Sequence, residues 1–125
     1  MIKAHKKLDA WKEAIKLTKD VYGACKLLPK DEKFGLISHM RRASVSVPST
    51  IAEGAARFGN KGSIQFYMIA RGSLGELDTQ LEICEELKYI TVPVHSQLVK
   101  QIDIVDALLS GLIRYNQKKN LNSKS

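Results

Sequence analysis

Residues 64–87, IQFYMIARGSLGELDTQLEICEEL, carry the apolar pattern that decides the fold. Apolar side chains recur at intervals of three and four from Ile64 to Leu87, the spacing of one face of an α-helix. We therefore predict a helix over about 63–88 that buries Tyr67, Ala70, Leu74, Leu77, Leu81 and Cys84. Its other face is acidic and carries Glu76, Asp78, Glu82, Glu85 and Glu86.

The same spacing recurs on both sides of this stretch and predicts helices over about 8–27, 31–58 and 93–117. Asp9 is a suitable cap for the first of these helices, and Pro29 ends it. The apolar face predicted for that helix contains Trp11, Ile15, Thr18, Tyr22 and Cys25, widened by Ala14, Val21 and Leu28. The last helix is defined by Leu98, Ile102, Val105, Leu109, Leu112 and Ile113.

Pro48 complicates the second predicted helix, because proline removes a backbone hydrogen bond. We expect a kink there, or a division into two pieces. Residues 44–47, SVSV, also alternate like a strand. So short a strand in an otherwise helical chain has nothing evident to pair with, and the helical interpretation is preferred.

The 125 residues, 44% of them hydrophobic, are enough for one core and one domain over 1–125. Four amphipathic helices joined by short turns favour an all-α, antiparallel up-down-up-down four-helix bundle. We expect a basic N-terminal segment over 1–7 and a loose tail over 118–125, where apolar residues are scarce.

The net charge of +7 is unevenly distributed along the chain. Residues 1–30 hold eight Lys or Arg against three acids, whereas residues 61–90 are acidic. Such a charge suits binding to a polyanion, but it also serves solubility. The longest uncharged stretch, 89–99, is too short to cross a bilayer, and charges follow the N-terminus where a secretory signal would be apolar, so we expect a cytoplasmic protein without a membrane partner.

Motifs for catalysis or cofactor binding are nearly absent from the sequence. Gly54, Gly59 and Lys61 resemble a phosphate loop only in spacing, since no strand precedes them. The acidic helix lacks the Glu-x-x-His of carboxylate metal bundles and is taken as a solvated face. Cys25 and Cys84 fit no metal spacing and are expected to be buried, reduced thiols, with a disulfide or a reactive thiol as the alternative. We expect no metal and no cofactor.

Two segments depart from ordinary bundle sequence. Arg42, Ser46, Ser49, Glu53 and Arg57 form a polar stripe on the second helix, which faces either solvent or another helix or subunit. In the third helix Gly72, Ser73 and Gly75 are costly, because each helical glycine loses about 1 kcal/mol relative to alanine. Small residues at Gly72, Gly75 and Thr79 indicate the close approach of another backbone, and residues 52–56 are the expected neighbour.

Residues 42–54, RASVSVPSTIAEG, and 66–81, FYMIARGSLGELDTQL, resemble bacterial four-helix-bundle proteins encoded within intervening sequences of 23S ribosomal RNA genes. That family is similar to the accessory variability determinant of diversity-generating retroelements, a basic homopentamer that associates with nucleic acid and reverse transcriptase. The resemblance implies a ring-like homopentamer for this chain, with RNA or DNA and a nucleic-acid enzyme such as a reverse transcriptase as further partners. It implies no catalysis.

The motifs supply candidate residues for two roles. We expect Arg42, Glu53 and Glu76 to form polar pairs between helices or subunits, because buried charge is tolerated only when paired. Helix packing is assigned to Pro48, Gly54, Gly72 and Gly75. The candidate nucleic-acid contacts are Lys3, Lys6, Lys7, Arg41, Arg42, Arg57, Lys61, Arg71, Lys118 and Lys119.

The favoured function is therefore a non-enzymatic, oligomeric protein that binds nucleic acid through charge and shape. A protein-interaction or assembly scaffold is the alternative. An enzyme ranks last, because no nucleophile, acid-base pair or metal site can be assembled from the sequence.

Overall fold

The computed structural model describes residues 4–124, except for the side chains of residues 4, 7, 123 and 124. It contains four α-helices: α1 (Asp9–Cys25), α2 (Leu36–Ala55), α3 (Asn60–Glu86) and α4 (Val92–Lys124). Short 3-10 turns precede α1 at Ala4–Lys7 and α2 at Lys30–Glu32. The described residues form no strand, and residues 44–47 are helical as predicted.

Two of the predicted boundaries differ from the structure by more than one helical turn. Residues 31–35 form turns rather than the start of α2, which begins at Leu36. The expected loose tail is helical, because α4 continues to Lys124. After Tyr115 the sequence has only one apolar residue, Leu121. No glycine or proline follows Gly111, however, so no helix-breaking residue ends α4 earlier.

The helices pack as a bundle in which each contacts two neighbours. Helix α1 lies beside α2 and α4, and α3 lies beside the same two helices. In the part of the chain described here, no Cα atom of α1 lies within 8 Å of one in α3, and the same holds for α2 and α4. The core lies between them and contains fully buried Leu17, Val21, Met40, Val47, Ile51, Leu77, Leu81, Val105 and Leu109. None of the helices in this part of the chain is long and apolar enough to cross a membrane.

The apolar face of α3 is buried as predicted, whereas that of α1 is rotated. On α1, Ile15 and Tyr22 are exposed, and the buried residues are Ala10, Ala14, Leu17, Val21, Ala24 and Cys25. Two apolar stripes overlap on this helix, and only the one with the smaller side chains faces the core. Of the other stripe, Ile15 and Tyr22 remain on the surface, whereas Trp11 packs against the core and Cys25 is buried.

Pro48 is buried inside α2, which continues through it as one helix from Leu36 to Ala55. Proline has no N–H to donate to the carbonyl four residues earlier, which is that of the buried Ser44. The Thr18 hydroxyl of α1 donates to this Ser44 carbonyl at 2.8 Å. The hydrogen bond that Pro48 removes is thus replaced from the neighbouring helix.

The contact between α2 and α3 is close at Gly54 and polar further along. A Cβ placed on Gly54 would lie 2.7 Å from Tyr67 Cε1, so only glycine fits without displacement. The Ser63 hydroxyl donates to the Gly54 carbonyl at 2.8 Å, and the hydroxyls of Ser46 and Ser73 are 2.9 Å apart. The polar stripe of α2 therefore faces α3 at Ser46.

The packing predicted for Gly72 and Gly75 is not found within the bundle. Both are exposed, and among residues 4–124 a Cβ added to either would meet no atom within 4 Å apart from its chain neighbours and the nearby backbone of α3. Of Gly72, Ser73 and Gly75, only Ser73 is buried, and its hydroxyl meets that of Ser46 on α2. Gly54 is the one predicted glycine whose packing role within this chain is confirmed.

Candidate nucleic-acid interface

A basic cleft forms where the end of α2, the start of α3 and the late part of α4 meet. We call this surface the basic cleft; it is lined by Leu8, Ala55, Arg57, Gly59, Asn60, Ser63, Tyr67, Leu112, Tyr115, Asn116 and Lys119. No acidic side chain occurs among these described lining residues. The cleft therefore offers two cations, the amide of Asn60 and the exposed phenol of Tyr115 to a ligand, with no carboxylate to repel an anion. Tyr67 and Asn116 are buried, and the Asn116 amide donates to the Leu112 carbonyl.

Aromatic rings hold both cations of the basic cleft in place. The Arg57 guanidinium lies 4.3 Å from the centre of the Phe66 ring, and the Lys119 ammonium lies 4.8 Å from that of Tyr115. Such cation–π contacts restrict the side chains while leaving their N–H groups available. Next to Arg57, the ring of Phe58 is fully exposed.

The structure brings only some of the predicted nucleic-acid contacts to the basic cleft. Arg57 and Lys119 line it, and exposed Lys61 and Lys118 are the chain neighbours of lining residues. Exposed Lys6 belongs to the 3-10 turn that contacts α1 and α2. Lys3 and the side chain of Lys7 lie outside the described residues.

The remaining predicted cations lie elsewhere. Arg41 stacks over Tyr22, 5.0 Å from the ring centre, and Arg42 is exposed beside it in the chain. Arg71 forms an ion pair with Asp106, 3.0 Å from Nε to Oδ1. Its charge is therefore partly neutralised by a carboxylate of α4.

Arg42, Glu53 and Glu76 are exposed, and within the described part of one chain no ion pair involves them. The expected polar pairs between helices of a single bundle are therefore not found. Pairing between subunits stays a prediction.

A second basic surface runs between α1 and α2. This surface, the α1–α2 groove, is lined by Ile15, Thr18, Lys19, Tyr22, Gly23, Lys26, Arg41 and Val45. Ile15, Tyr22 and Val45 are exposed large apolar side chains, and the three cations around them have no acidic neighbour among the lining residues.

Helix α3 carries a surface on which exposed apolar side chains are flanked by acidic rather than basic residues. Its exposed surface near the C-terminus, the acidic face, is lined by Asp78, Thr79, Glu82, Ile83, Glu86 and Leu87. Ile83 and Leu87 are exposed apolar side chains flanked by three carboxylates. The α1–α2 groove and the acidic face are thus both partly apolar and opposite in charge.

One cluster of possible metal ligands was missed in the sequence. Glu82 and Glu85 on α3 meet His95 in the first turns of α4, and one ligand atom from each lies within 4.8 Å of the others. The search for a Glu-x-x-His motif excluded this site, because the histidine comes from the next helix. Glu-x-x-Glu at the end of one helix and a histidine early in the next was the available signal.

Both cysteines are buried and free, as expected for core thiols. Burial raises the pKa of the Cys25 thiol and raises that of Cys84 to about 11. The Cys84 thiol contacts Met40 Sδ at 3.5 Å. Neither thiol is a nucleophile at neutral pH, because nucleophilic attack requires the thiolate.

Comparison with known proteins agrees with this architecture. One solved structure, a protein of unknown function from the S23 ribosomal protein family of Bacteroides thetaiotaomicron, has a TM-score of 0.77 to this chain at 19% sequence identity. The match covers 83% of this chain and 97% of the other, and at this identity it shows the shared fold. A search of curated proteins finds no match.

The family described as the 23S rRNA-intervening sequence protein matches residues 6–111. This range spans all of α1, α2 and α3 and most of α4, including both motifs that carry the resemblance. The chain belongs to the 23S rRNA-intervening sequence protein family.

Proposed function

We propose that this protein is a non-enzymatic, self-assembling antiparallel four-helix bundle that binds nucleic acid through the basic cleft. The observation that carries the proposal is a cleft assembled from three helices that contains Arg57 and Lys119 and no acid among its described lining residues. Arginine and lysine that neutralise phosphates release counterions, and this release supplies affinity without reading a sequence.

The chemistry of the basic cleft favours RNA with unpaired nucleotides as the ligand. Exposed Phe58 and Tyr115 offer flat rings on which splayed bases stack, and Asn60 offers an amide for hydrogen bonds. A structured RNA that contains loops is therefore the first probe, with a DNA duplex as the comparison.

The non-enzymatic part of the proposal rests on the functional groups in the basic cleft. Its cations, the Asn60 amide and the Tyr115 phenol suit phosphate and base binding. Burial raises the pKa of the Tyr67 hydroxyl, which therefore stays protonated at neutral pH. The expected cytoplasmic location stays a prediction.

The test measures the affinity of nuclease-treated protein for a labelled structured RNA and a DNA duplex across a salt series. The double variant Arg57→Gln with Lys119→Gln is expected to lower RNA affinity at least about tenfold, because two phosphate contacts are lost. The slope of log affinity against log salt should fall by roughly 1.5.

The matched control is Lys30→Gln with Lys33→Gln, which removes the same charge from exposed residues in the turns before α2. Its RNA affinity should stay within about threefold of wild type, because only the general field changes. Equal losses in both double variants would reduce the role of the basic cleft to net charge and contradict the proposal.

Self-assembly is proposed through the α1–α2 groove of one subunit and the acidic face of the next. Lys19, Lys26 and Arg41 would meet the carboxylates of the acidic face, while the exposed apolar side chains of both surfaces become buried together. Contact between two different surfaces propagates head to tail and closes into a ring when the rotation permits. The homopentamer implied by the resemblance is one such ring.

Two variants test this assembly. Val45→Asp disrupts the α1–α2 groove and Ile83→Lys disrupts the acidic face, so each alone should yield monomers in analytical ultracentrifugation. Mixed together they should form a dimer and nothing larger, because one intact groove meets one intact acidic face. Leu121→Asp, at another exposed apolar side chain, should assemble like wild type.

A wild-type protein that stays monomeric at high concentration would refute the assembly. Intact assembly with no binding to RNA or DNA even at low salt would instead support the alternative function, a scaffold whose basic ends recruit an acidic protein such as a polymerase subunit. A mixture of the two variants that remains monomeric would assign the contact to other surfaces.

A further inference from the structure

We propose that Glu82, Glu85 and His95 form a binding site for a divalent metal ion of the zinc type, which fastens the end of α3 to the start of α4. The site is separate from the basic cleft and shares only Glu82 with the acidic face. It does not depend on nucleic-acid binding.

His95 contacts one carboxylate through each ring nitrogen. Nδ1 lies 3.2 Å from Glu85 Oε2, and Nε2 lies 3.1 Å from Glu82 Oε2. The imidazole is largely buried, with only 16% of its side chain exposed. Among the described residues, Nε2 is enclosed and has no hydrogen-bond partner, because the contact with Glu82 is short but lacks hydrogen-bond geometry.

This arrangement resembles the second shell of a metal-bound histidine. A carboxylate that accepts the N–H of one ring nitrogen fixes the tautomer and leaves the lone pair on the other. If Glu85 accepts from Nδ1, the Nε2 lone pair faces a Glu82 oxygen at 3.1 Å. Two acceptors at this distance repel each other, and either a proton on Nε2 or a cation bound between them removes the repulsion. The lack of hydrogen-bond geometry between Nε2 and Glu82 favours the cation.

The separation of the two atoms fits zinc coordination. Zinc binds imidazole nitrogen and carboxylate oxygen at about 2.0–2.1 Å, and tetrahedral geometry places such ligands roughly 3.3 Å apart. Glu82 is 59% exposed, so water has access to the remaining positions of the ion. One imidazole with carboxylates suits zinc better than magnesium, which prefers oxygen ligands alone.

The ion would strengthen a connection that carries backbone strain. Residues 87–91 join α3 to α4, and Lys88 has a φ of 62°, a conformation that costs a non-glycine residue free energy. An ion bound by residues on both sides of this turn would hold the end of α3 against the start of α4. It would do so only in the folded chain. Metal binding is then linked to stability, because the unfolded chain does not bring the three residues together.

The first experiment is a calorimetric titration of metal-free protein with zinc, followed by thermal unfolding with and without the ion. We expect one zinc per chain and a higher Tm in its presence. His95→Gln should abolish binding, and Glu82→Gln and Glu85→Gln should each weaken it at least about tenfold. Glu86→Gln, the neighbouring exposed carboxylate, should bind within about twofold of wild type.

A second measurement separates this site from adventitious zinc on other histidines. In His5→Gln with His39→Gln, only His95 remains, and binding should be unchanged. In ¹⁵N spectra of this variant, zinc should shift the Nε2 resonance while Nδ1 keeps its proton. Absence of saturable binding, loss of binding in the His5 and His39 variant, or an Nε2 that stays protonated with zinc present would each overturn the proposal.

Discussion

The two faces of α3 use similar small residues in opposite ways. The closed face packs on α2, where Tyr67 covers Gly54 and Ser73 meets the hydroxyl of Ser46. The open face carries Gly72 and Gly75, where an added Cβ would have no atom within 4 Å among the described residues beyond its chain neighbours and the adjoining backbone of α3. A small residue in a helix therefore marks a close approach on one face and an empty groove on the other.

The open face also concentrates charge. Met68, Arg71, Asp78, Asp103 and Asp106 surround Gly72 and Gly75 in a groove between α3 and α4. The closed face holds instead the core residues Leu74, Leu77, Leu81 and Cys84. Substitutions on the two faces should consequently change stability in opposite directions.

The largest effect is expected from Gly54→Ala, on α2 where this helix packs against the closed face of α3. The new Cβ would lie 2.7 and 2.9 Å from two carbons of the Tyr67 ring and 3.2 Å from Phe66 Cβ, so the aromatic pair must move. We expect a loss of about 2 kcal/mol in the free energy of unfolding, measured with denaturant. RNA affinity should fall as well, because Tyr67 lines the basic cleft. An unchanged free energy would show that α2 and α3 are not tightly packed here.

The next effect concerns pH and the core thiol on the same face. The Cys84 thiol titrates near pH 9 when unfolded and at about 11 when folded, because burial disfavours the thiolate. The folded state therefore holds its proton more tightly, and the stability this contributes is complete below pH 9 and lost as pH rises to about 11. The loss should be about 2 kcal/mol.

Cys84→Ala serves as the reference for this measurement. Its stability difference from wild type should shrink between pH 9 and 11, when unfolding is followed at both pH values. A difference that stays constant with pH would mean that the Cys84 thiol is not shielded from water.

A smaller effect is expected at the contact between α1 and α2. Thr18→Val removes the hydroxyl that donates to the Ser44 carbonyl and should cost about 1 kcal/mol, because a buried acceptor is left unpaired. In a Pro48→Ala background the new N–H can pair with that carbonyl, so the same substitution should cost less. Thr79→Val, whose hydroxyl bonds Gly75 on the exposed surface, is the control and should be nearly neutral. Equal costs in both backgrounds would contradict this role of Thr18.

The smallest effect is a gain on the open face. Gly72→Ala should stabilise the single bundle by about 0.5 to 1 kcal/mol, because alanine is the better helix former and the space is free. Denaturant unfolding measures the gain, and ultracentrifugation shows whether assembly weakens at the same time. Weaker assembly with a more stable subunit would place the groove at a subunit contact. A less stable subunit would show that the face is not open.

Much of the fold was predictable because α3 and α4 each have one apolar stripe. Helix α1 was harder, since Ile15 and Tyr22 continue a regular stripe that the structure leaves exposed. Periodicity reports which side chains share a face but not which of two overlapping faces packs inward. Only the packing of α2 and α4 against α1 chose between them.

The candidate sites were predictable only in part. Arg57, Lys61, Lys118 and Lys119 were selected for their charge, but their separation in sequence concealed that Arg57 and Lys119 share one cleft. Likewise, Glu82 and Glu85 were taken as a solvated face because His95 lies beyond the turn after α3. A site shared between helices has no local spacing that a motif search can detect.

Local chemistry in the sequence determined the four helices, their approximate ends and the buried face of α3, because these depend on helical periodicity, proline and glycine. Tertiary structure decided the rest: that Thr18 replaces the bond lost at Pro48, that Gly54 is crowded while Gly72 is open, and which charges meet. These outcomes depend on the rotation and spacing of neighbouring helices, which are set by how all four pack together.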